Sequence, residues 1–194
     1  MKYYFWIILF FVAQGYSQSF VQWKDGRKMM IIEESFNIQP KHKRIVFQQT
    51  DSQMVKLKFK ELDSAVVGNF RFKANKIHNK VRGNYELASS LKTVLLAQST
   101  MKSRPAGGFE IPYTHYDLFI IDKNSEVVKF KTSFSSGNNC KDIAKRLEAL
   151  AEVKSHFKDC KKVMARISAI EAAEASVDRV IEEFIKVPIY ILCD

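Results

Sequence analysis

Glycine and proline are scarce, seven and four in 194 residues, and the few there are do not gather into a linker or a low-complexity tract. No internal repeat is visible, and a chain of this length then reads as one domain able to bury a core without staples. There are three cysteines, Cys140, Cys160 and Cys193, with no C-x-x-C pair. The four histidines, His42, His78, His115 and His156, form no H-E-x-x-H spacing, so no metal site is expected. Catalytic motifs are missing as well. Phe134-Ser-Ser136-Gly137 lacks the G-x-S-x-G of a nucleophile elbow, and Gly107-Gly108 is not followed by the lysine and hydroxyl of a phosphate loop. Asp122-Lys-Asn124-Ser-Glu126 opens like a calcium loop, but Val127 stands where glycine is required and no closing glutamate follows, which leaves a turn. His115 and Asp117 would share a strand face, yet no nucleophile stands near them. No catalytic residue and no cofactor is named by the sequence.

Long apolar runs are also absent beyond the first residues. Lys2 and the unbroken apolar stretch from Tyr3 to Ala13 fit the ~7–15 residue core of a signal peptide and fall short of the ~20 residues that span a membrane. Gly15 and Ser17 suit cleavage after Ser17, giving residues 1–17 as a leader and 18–194 as the exported domain. No cysteine follows closely enough for lipidation, and no later run is long enough to be a span. The expected location is periplasmic or secreted. Nucleic acid is then a poor partner despite a formal net charge of +10. That charge is uneven: residues 18–83 hold 14 Lys/Arg against 6 Asp/Glu, residues 84–137 hold 6 against 5, and residues 138–194 hold 10 against 10. An excess confined to one region points to an anionic partner, or else to a solvated sheet face.

Hydrophobic patterning divides the chain into strands followed by helices, the signature of an α+β fold with a mainly antiparallel sheet over residues 20–134. The clearest element is the hairpin around His115 to Lys131, where Leu118–Ile121 is an apolar run, Asp122–Ser125 a polar turn and Val127–Lys131 an alternating strand. Phe20–Trp23 and Lys28–Glu33 flank Asp25-Gly26, a strong hairpin signal. Arg44–Gln49 reads as a strand. Met54–Lys60 and Phe70–Lys73 alternate apolar and basic residues with period two. Residues 84–101 fit either a helix or two strands around Ser89-Ser90, and their β-branched content favours strands. Arg104-Pro105-Ala106-Gly107-Gly108 reads as a loop. From Asn138 to Lys186 there is no glycine or proline, and apolar residues recur every three or four positions, as in helices. One straight helix of that length would be roughly 70 Å long, so it must break, and the rhythm weakens at Glu171–Ser176. Val187–Cys193 closes the chain as a strand.

An odd cysteine count in an exported chain implies one pair and one free thiol. Cys140 and Cys160 lie in one helical pattern, which if unbroken separates their Cα atoms by ~30 Å, against the ~4.4–6.8 Å a disulfide needs. Cys193 ends a strand that returns after the last helix and can reach Cys160. The expected bridge is therefore Cys160–Cys193, worth about 3 kcal/mol by chain entropy, with Cys140 unpaired. Three reduced, buried cysteines and a Cys140–Cys193 bridge are the competing readings.

Two groups of residues are candidates for binding. Lys56, Lys58, Lys60, Arg71 and Lys73 are expected on one exposed face, with Val55, Leu57, Phe59, Phe70 and Phe72 beneath, and with Arg44 they are candidates for an anion. Arg104, Tyr113, His115 and Tyr116 are candidates for a patch around Gly107-Gly108, against the plainer reading of a structural loop.

Several stretches resemble a broad group of exported envelope proteins of Bacteroidota that have no established activity. These are the leader, the Trp23-Lys-Asp25-Gly26 turn, the strand Leu57-Lys-Phe59-Lys-Glu-Leu62-Asp63-Ser64, the helical His156-Phe157-Lys-Asp159-Cys160 and the terminal strand ending in Cys193. The chain departs from that group at Lys161, where proline is common, and at Cys140, which looks additional. The resemblance implies export and a non-catalytic role. The expected function is an exported binding or structural module for an anionic glycan, a lipid head group or another envelope protein. A secreted hydrolase or other enzyme whose site the sequence does not show, and a periplasmic carrier of apolar ligands, are the alternatives.

Overall fold

The computed structural model describes residues 19–50, 53–174 and 176–193; the expected leader lies outside them. β1 (Phe20–Trp23) and β2 (Lys28–Met30) form the hairpin that Asp25-Gly26 announces. Gly26 takes φ +88°, a conformation glycine adopts without strain, and the Asp25 carboxylate accepts from the Arg27 backbone N–H at 3.0 Å. β3 (Asn37–Gln39), β4 (Arg44–Gln48) and β5 (Met54–Lys58) form a separate three-stranded antiparallel sheet. The chain then runs as an antiparallel meander through β6 (Leu62–Val67), β7 (Phe70–Ile77), β8 (Lys80–Ser89), β9 (Thr93–Ala106), β10 (Phe109–Asp122) and β11 (Val128–Ser135). β1 joins beside β6, so the large sheet has the order β11-β10-β9-β8-β7-β6-β1-β2. Helices α1 (Cys140–His156), α2 (Lys161–Ala173) and α3 (Val180–Lys186) follow, then β12 (Ile191–Leu192), which pairs parallel with β8. This is the expected α+β class, and residues 84–101 are strands.

Register shows how the layers stack. Val21, Ala65, Phe72, Tyr85, Ala97 and Leu118 are successive cross-strand partners and so share one face of the large sheet. That face is covered twice. Over β1, β6 and β7 the small sheet packs Ile45, Phe47 and Leu57 against Val21, Leu62, Ala65 and Phe72. Over β8 to β11 the helices pack Leu150, Val153, Val163, Ile167 and Phe184 against Leu95, Ala97, Leu118 and Phe134. Tyr85 touches both clusters at the seam. The opposite face carries its own cluster of Ile77, Val94, Leu96, Phe119 and Ile121, drawn entirely from the sheet's strands.

Asn139 caps α1 by accepting from the Asp142 N–H at 2.9 Å. The helical stretch breaks twice. At one, α2 ends at Ala173, where the apolar rhythm fades. The other, at Phe157–Cys160, departs from expectation, since no glycine or proline makes it. Phe157 closes α1 with its N–H on the Val153 carbonyl at 3.0 Å and is buried in the core, and Cys160 opens α2. Cys160 is thereby carried to β12 and is bonded to Cys193, the Cα atoms 5.2 Å apart. Cys140 is free and exposed.

Two further expectations are corrected. Arg104 to Ala106 are not loop but the end of β9. Gly107-Gly108 alone turn the chain, at φ +59° and +87°, so the distal parts of these two 14-residue strands project as an arm with Met101 and Phe109 exposed. At the C-terminus only Ile191–Leu192 pair as strand; Arg166 instead holds the preceding segment, donating to the carbonyls of Phe184 at 3.0 Å and Ile189 at 3.2 Å.

Candidate functional site

Alternation along a strand says which residues share a side of that strand, not which sheet the strand joins. Lys56 and Lys58 point away from Leu57 on the outer face of the small sheet, where Lys58 stands directly opposite Arg44. Arg71 and Lys73 flank Phe72 on β7, whose inner face meets the small sheet. The five basic residues therefore do not form one face. Lys56 and Lys58 leave the molecule on one side, and Arg71 and Lys73 project from the large sheet on the other, half-buried rather than exposed. Arg71 is also engaged: its Nε lies 3.5 Å from Glu86, and its Nη1 donates to the Tyr190 hydroxyl at 3.3 Å.

Of the loop candidates, Arg104, Tyr113 and His115 all adjoin Ser135, and Tyr116 stands apart. Arg104 and Tyr113 line a 300 Å³ cleft with Ser135, Asn139 and Asp142. His115 lies beside Ser135 and Asp117, at 3.5 and 3.7 Å. Tyr116 is buried against Phe134, ring centroids 5.5 Å apart, and burial above all pushes its hydroxyl pKa up.

What the fold does assemble is a basic cleft at one end of the small sheet. A short 3-10 turn, Pro40–His42, ends at Lys43, whose φ is +48° and whose N–H returns to the Pro40 carbonyl at 3.1 Å. The reversal sets the Lys43 carbonyl to accept from the Phe59 N–H at 2.8 Å, which pins Lys43 beside the turn that carries Lys58 and Lys60. From the large sheet, His78 and Asn79, both at positive φ, make the two-residue turn of the β7–β8 hairpin and bring Lys80 to the same place. The cleft between them measures 430 Å³ and is lined by His42, Lys43, Lys58, Lys60, Asn79 and Lys80 over Phe59 and Val81. Gly83, further along β8, lets the Phe59 and Phe72 rings approach the strand: a Cβ there would stand 2.4 Å from the Phe72 ring and 2.7 Å from that of Phe59.

The electrostatics are one-sided. No carboxylate lines the cleft. Lys60 lies 3.7 Å from Glu61, whereas Lys43, Lys58 and Lys80 make no ion pair with a described residue. Arg44 adds charge across from Lys58, with its Nε held by Gln39 at 2.7 Å. Low-dielectric walls around like charges concentrate positive potential. Lysine offers mobile point charges with three donors each and no fixed fork, a chemistry that does not discriminate phosphate from carboxylate. Sequence reasoning named Lys58 and Lys60 but missed Lys43, His42 and Lys80. The run Lys41-His42-Lys43-Arg44 was the available signal for the first two; nothing local marks Lys80.

No family model and no curated protein matches the chain. Among solved structures it is similar to the hypothetical lipoprotein YmcC from Escherichia coli K12, with 9% identity over 67% of this chain and 74% of that one and a TM-score of 0.17. A likeness at that level carries no argument about function, and this neighbour comes from outside the Bacteroidota. Among the described residues, no helix is long and apolar enough to cross a membrane.

Proposed function

We propose that this protein is an exported, non-catalytic binding module of the bacterial envelope that takes a phosphate- or carboxylate-bearing ligand in the basic cleft. The observation that carries the reading is the meeting of Lys43, Lys58, Lys60 and Lys80, from three separate turns, over Phe59 with no carboxylate among them. Mutual repulsion of neighbouring lysines costs stability, and an anion relieves it. A hydrolase would need perturbed titratable groups meeting in the cleft, and an apolar carrier a large lined cavity; the cleft's cationic rim favours neither.

Titration of the exported chain with phosphatidylglycerol vesicles and, separately, with polygalacturonate tests the reading and distinguishes lipid phosphate from glycan carboxylate. Phosphatidylcholine vesicles serve as the neutral control. Binding to one anionic probe, weakened about tenfold in Lys58→Gln/Lys80→Gln, is expected. Binding to neither, or equal binding to the neutral vesicles, overturns it.

A further inference from the structure

The opposite face of the large sheet holds a second polar constellation, apart from the cleft. Along β7 and β8 the residues turned away from the small sheet are Arg71, Lys73 and Asn75, paired across the strands with Glu86, Asn84 and Arg82. Ser64 continues the row on β6, opposite Lys73. Beside it on the same face of β9 and β10 lie the apolar Leu96 and Phe119. Asn75, Asn84 and Glu86 are 3%, 0% and 3% exposed.

These buried groups are not satisfied by one another. Asn75 Oδ1, Asn84 Oδ1, Glu86 Oε2 and Arg71 Nε have no hydrogen-bond partner. Asn84 donates its amide to the Arg82 carbonyl at 3.2 Å, leaving its own oxygen unmet. Arg71 Nε and Glu86 Oε2 face each other at 3.5 Å, too far for a good hydrogen bond. Arg71 and Arg82 are also engaged elsewhere. Arg71 reaches the Tyr190 hydroxyl and lies over its ring, and Arg82 leans across β9 toward Asp117 at 3.9 Å and over the Phe119 ring. Native folds leave few buried polar atoms unpaired, and four on two adjacent strands break the local rules in the way binding sites do.

We propose that this face binds a neutral, polyhydroxylated ligand, a saccharide, through Asn75, Asn84, Glu86 and Arg71. The chemistry follows from what is unmet. Three oxygens require donors and one nitrogen requires an acceptor; a hydroxyl supplies both, and a run of vicinal hydroxyls matches side chains spaced along two paired strands. An anion would meet the Glu86 carboxylate and two amide oxygens. A cation would meet Arg71, Lys73 and Arg82. Burial raises the Glu86 carboxyl pKa despite the pull of Arg71 and Lys73, so this acceptor is a strained one that a donor from the ligand relieves. Admission of the ring requires the half-buried side chains of Arg71 and Arg82 to move aside.

The test is nuclear magnetic resonance of the exported chain, following the side-chain amide signals of Asn75 and Asn84 during titration with maltotriose, cellotriose and chitotriose at millimolar concentration. At least one sugar is expected to shift both signals, with affinity reduced about tenfold in the isosteric Glu86→Gln and in Asn84→Ala. Lys58→Gln/Lys80→Gln is expected to leave that affinity unchanged, which separates this site from the basic cleft. Unmoved Asn75 and Asn84 signals with all three sugars, or full affinity in Glu86→Gln, overturns the proposal and leaves water as the partner of these groups.

Discussion

Two buried charged residues show how environment decides the meaning of a side chain. Arg146, mid-way along α1, is fully buried. Its Nη1 donates to the carbonyls of Ser135 and Gly137, both at 2.8 Å, and its Nη2 meets Asp178 at 2.5 Å, tying α1 to the end of β11 and to the turn before α3. Asp178→Ala, which leaves that guanidinium without its counter-charge, is expected to cost about 3 kcal/mol in urea unfolding. The Ser176 hydroxyl first, then Arg146, hold the Asp178 carboxyl below its usual 3.8. A depressed folded-state pKa makes this contribution complete above the unfolded value and lost as the pH falls through the folded one, so the gap between wild type and Asp178→Ala should close in acid. Glu86 carries the opposite sign. Desolvation raises its carboxyl above 4.5, so the fold loses stability as the pH rises from the unfolded to the folded value. Glu86→Gln should raise the urea midpoint at pH 7 and leave it unchanged well below pH 4. A lower midpoint for Glu86→Gln at pH 7 would show the Arg71 pairing to outweigh the burial.

At the scale of elements, the parts legible in sequence were those governed by local period. Alternation found β5 and β7, and β-branched content favoured strands over a helix for β8 and β9. The apolar runs and polar turn found the hairpin of β10 and β11. Three features were not legible, each for a physical reason. Alternation assigns no sheet, so β5 and β7 looked like neighbours although they lie in different layers. The reversal at Phe157–Cys160 rests on burial of Phe157 and the Cys160–Cys193 bond, neither of which leaves a glycine or proline as a mark. Lys80 reaches the cleft only through a hairpin turn that positions it opposite a different sheet. Cys193→Ala should cost about 3 kcal/mol by releasing a closed segment of sequence separation 33; peptide mapping without reductant that found Cys193 free would remove the basis for that loss. The projecting arm is expected to be dispensable for folding: shortening β9 and β10 between Lys102 and Ile111 should change the urea midpoint little, because those residues are almost all exposed. Gly83→Ala, by contrast, drives a methyl group into Phe72 and Phe59 and should cost about 1–3 kcal/mol.

For the whole molecule, the large sheet divides the surface into two unlike halves. One side carries the small sheet, the helices and, at one end, the cleft ringed by lysines; the other carries a polar row that no described helix or second sheet packs upon. The basic excess of residues 18–83 is thereby split, part into the cleft and part onto the far face with Arg71 and Lys73. A uniformly solvated basic surface would bind anions through total charge alone, whereas a cleft binds them through particular lysines. The decisive measurement is the salt dependence of affinity for the anionic probe in the wild type, in Lys43→Gln/Lys58→Gln/Lys80→Gln and in a control of equal charge, Lys102→Gln/Lys141→Gln/Lys158→Gln. The account predicts that the cleft variant loses at least about tenfold in affinity and has a shallower salt slope, while the control keeps both near wild type. Equal losses in the two variants would contradict it, because net charge rather than the cleft would then be what the ligand senses.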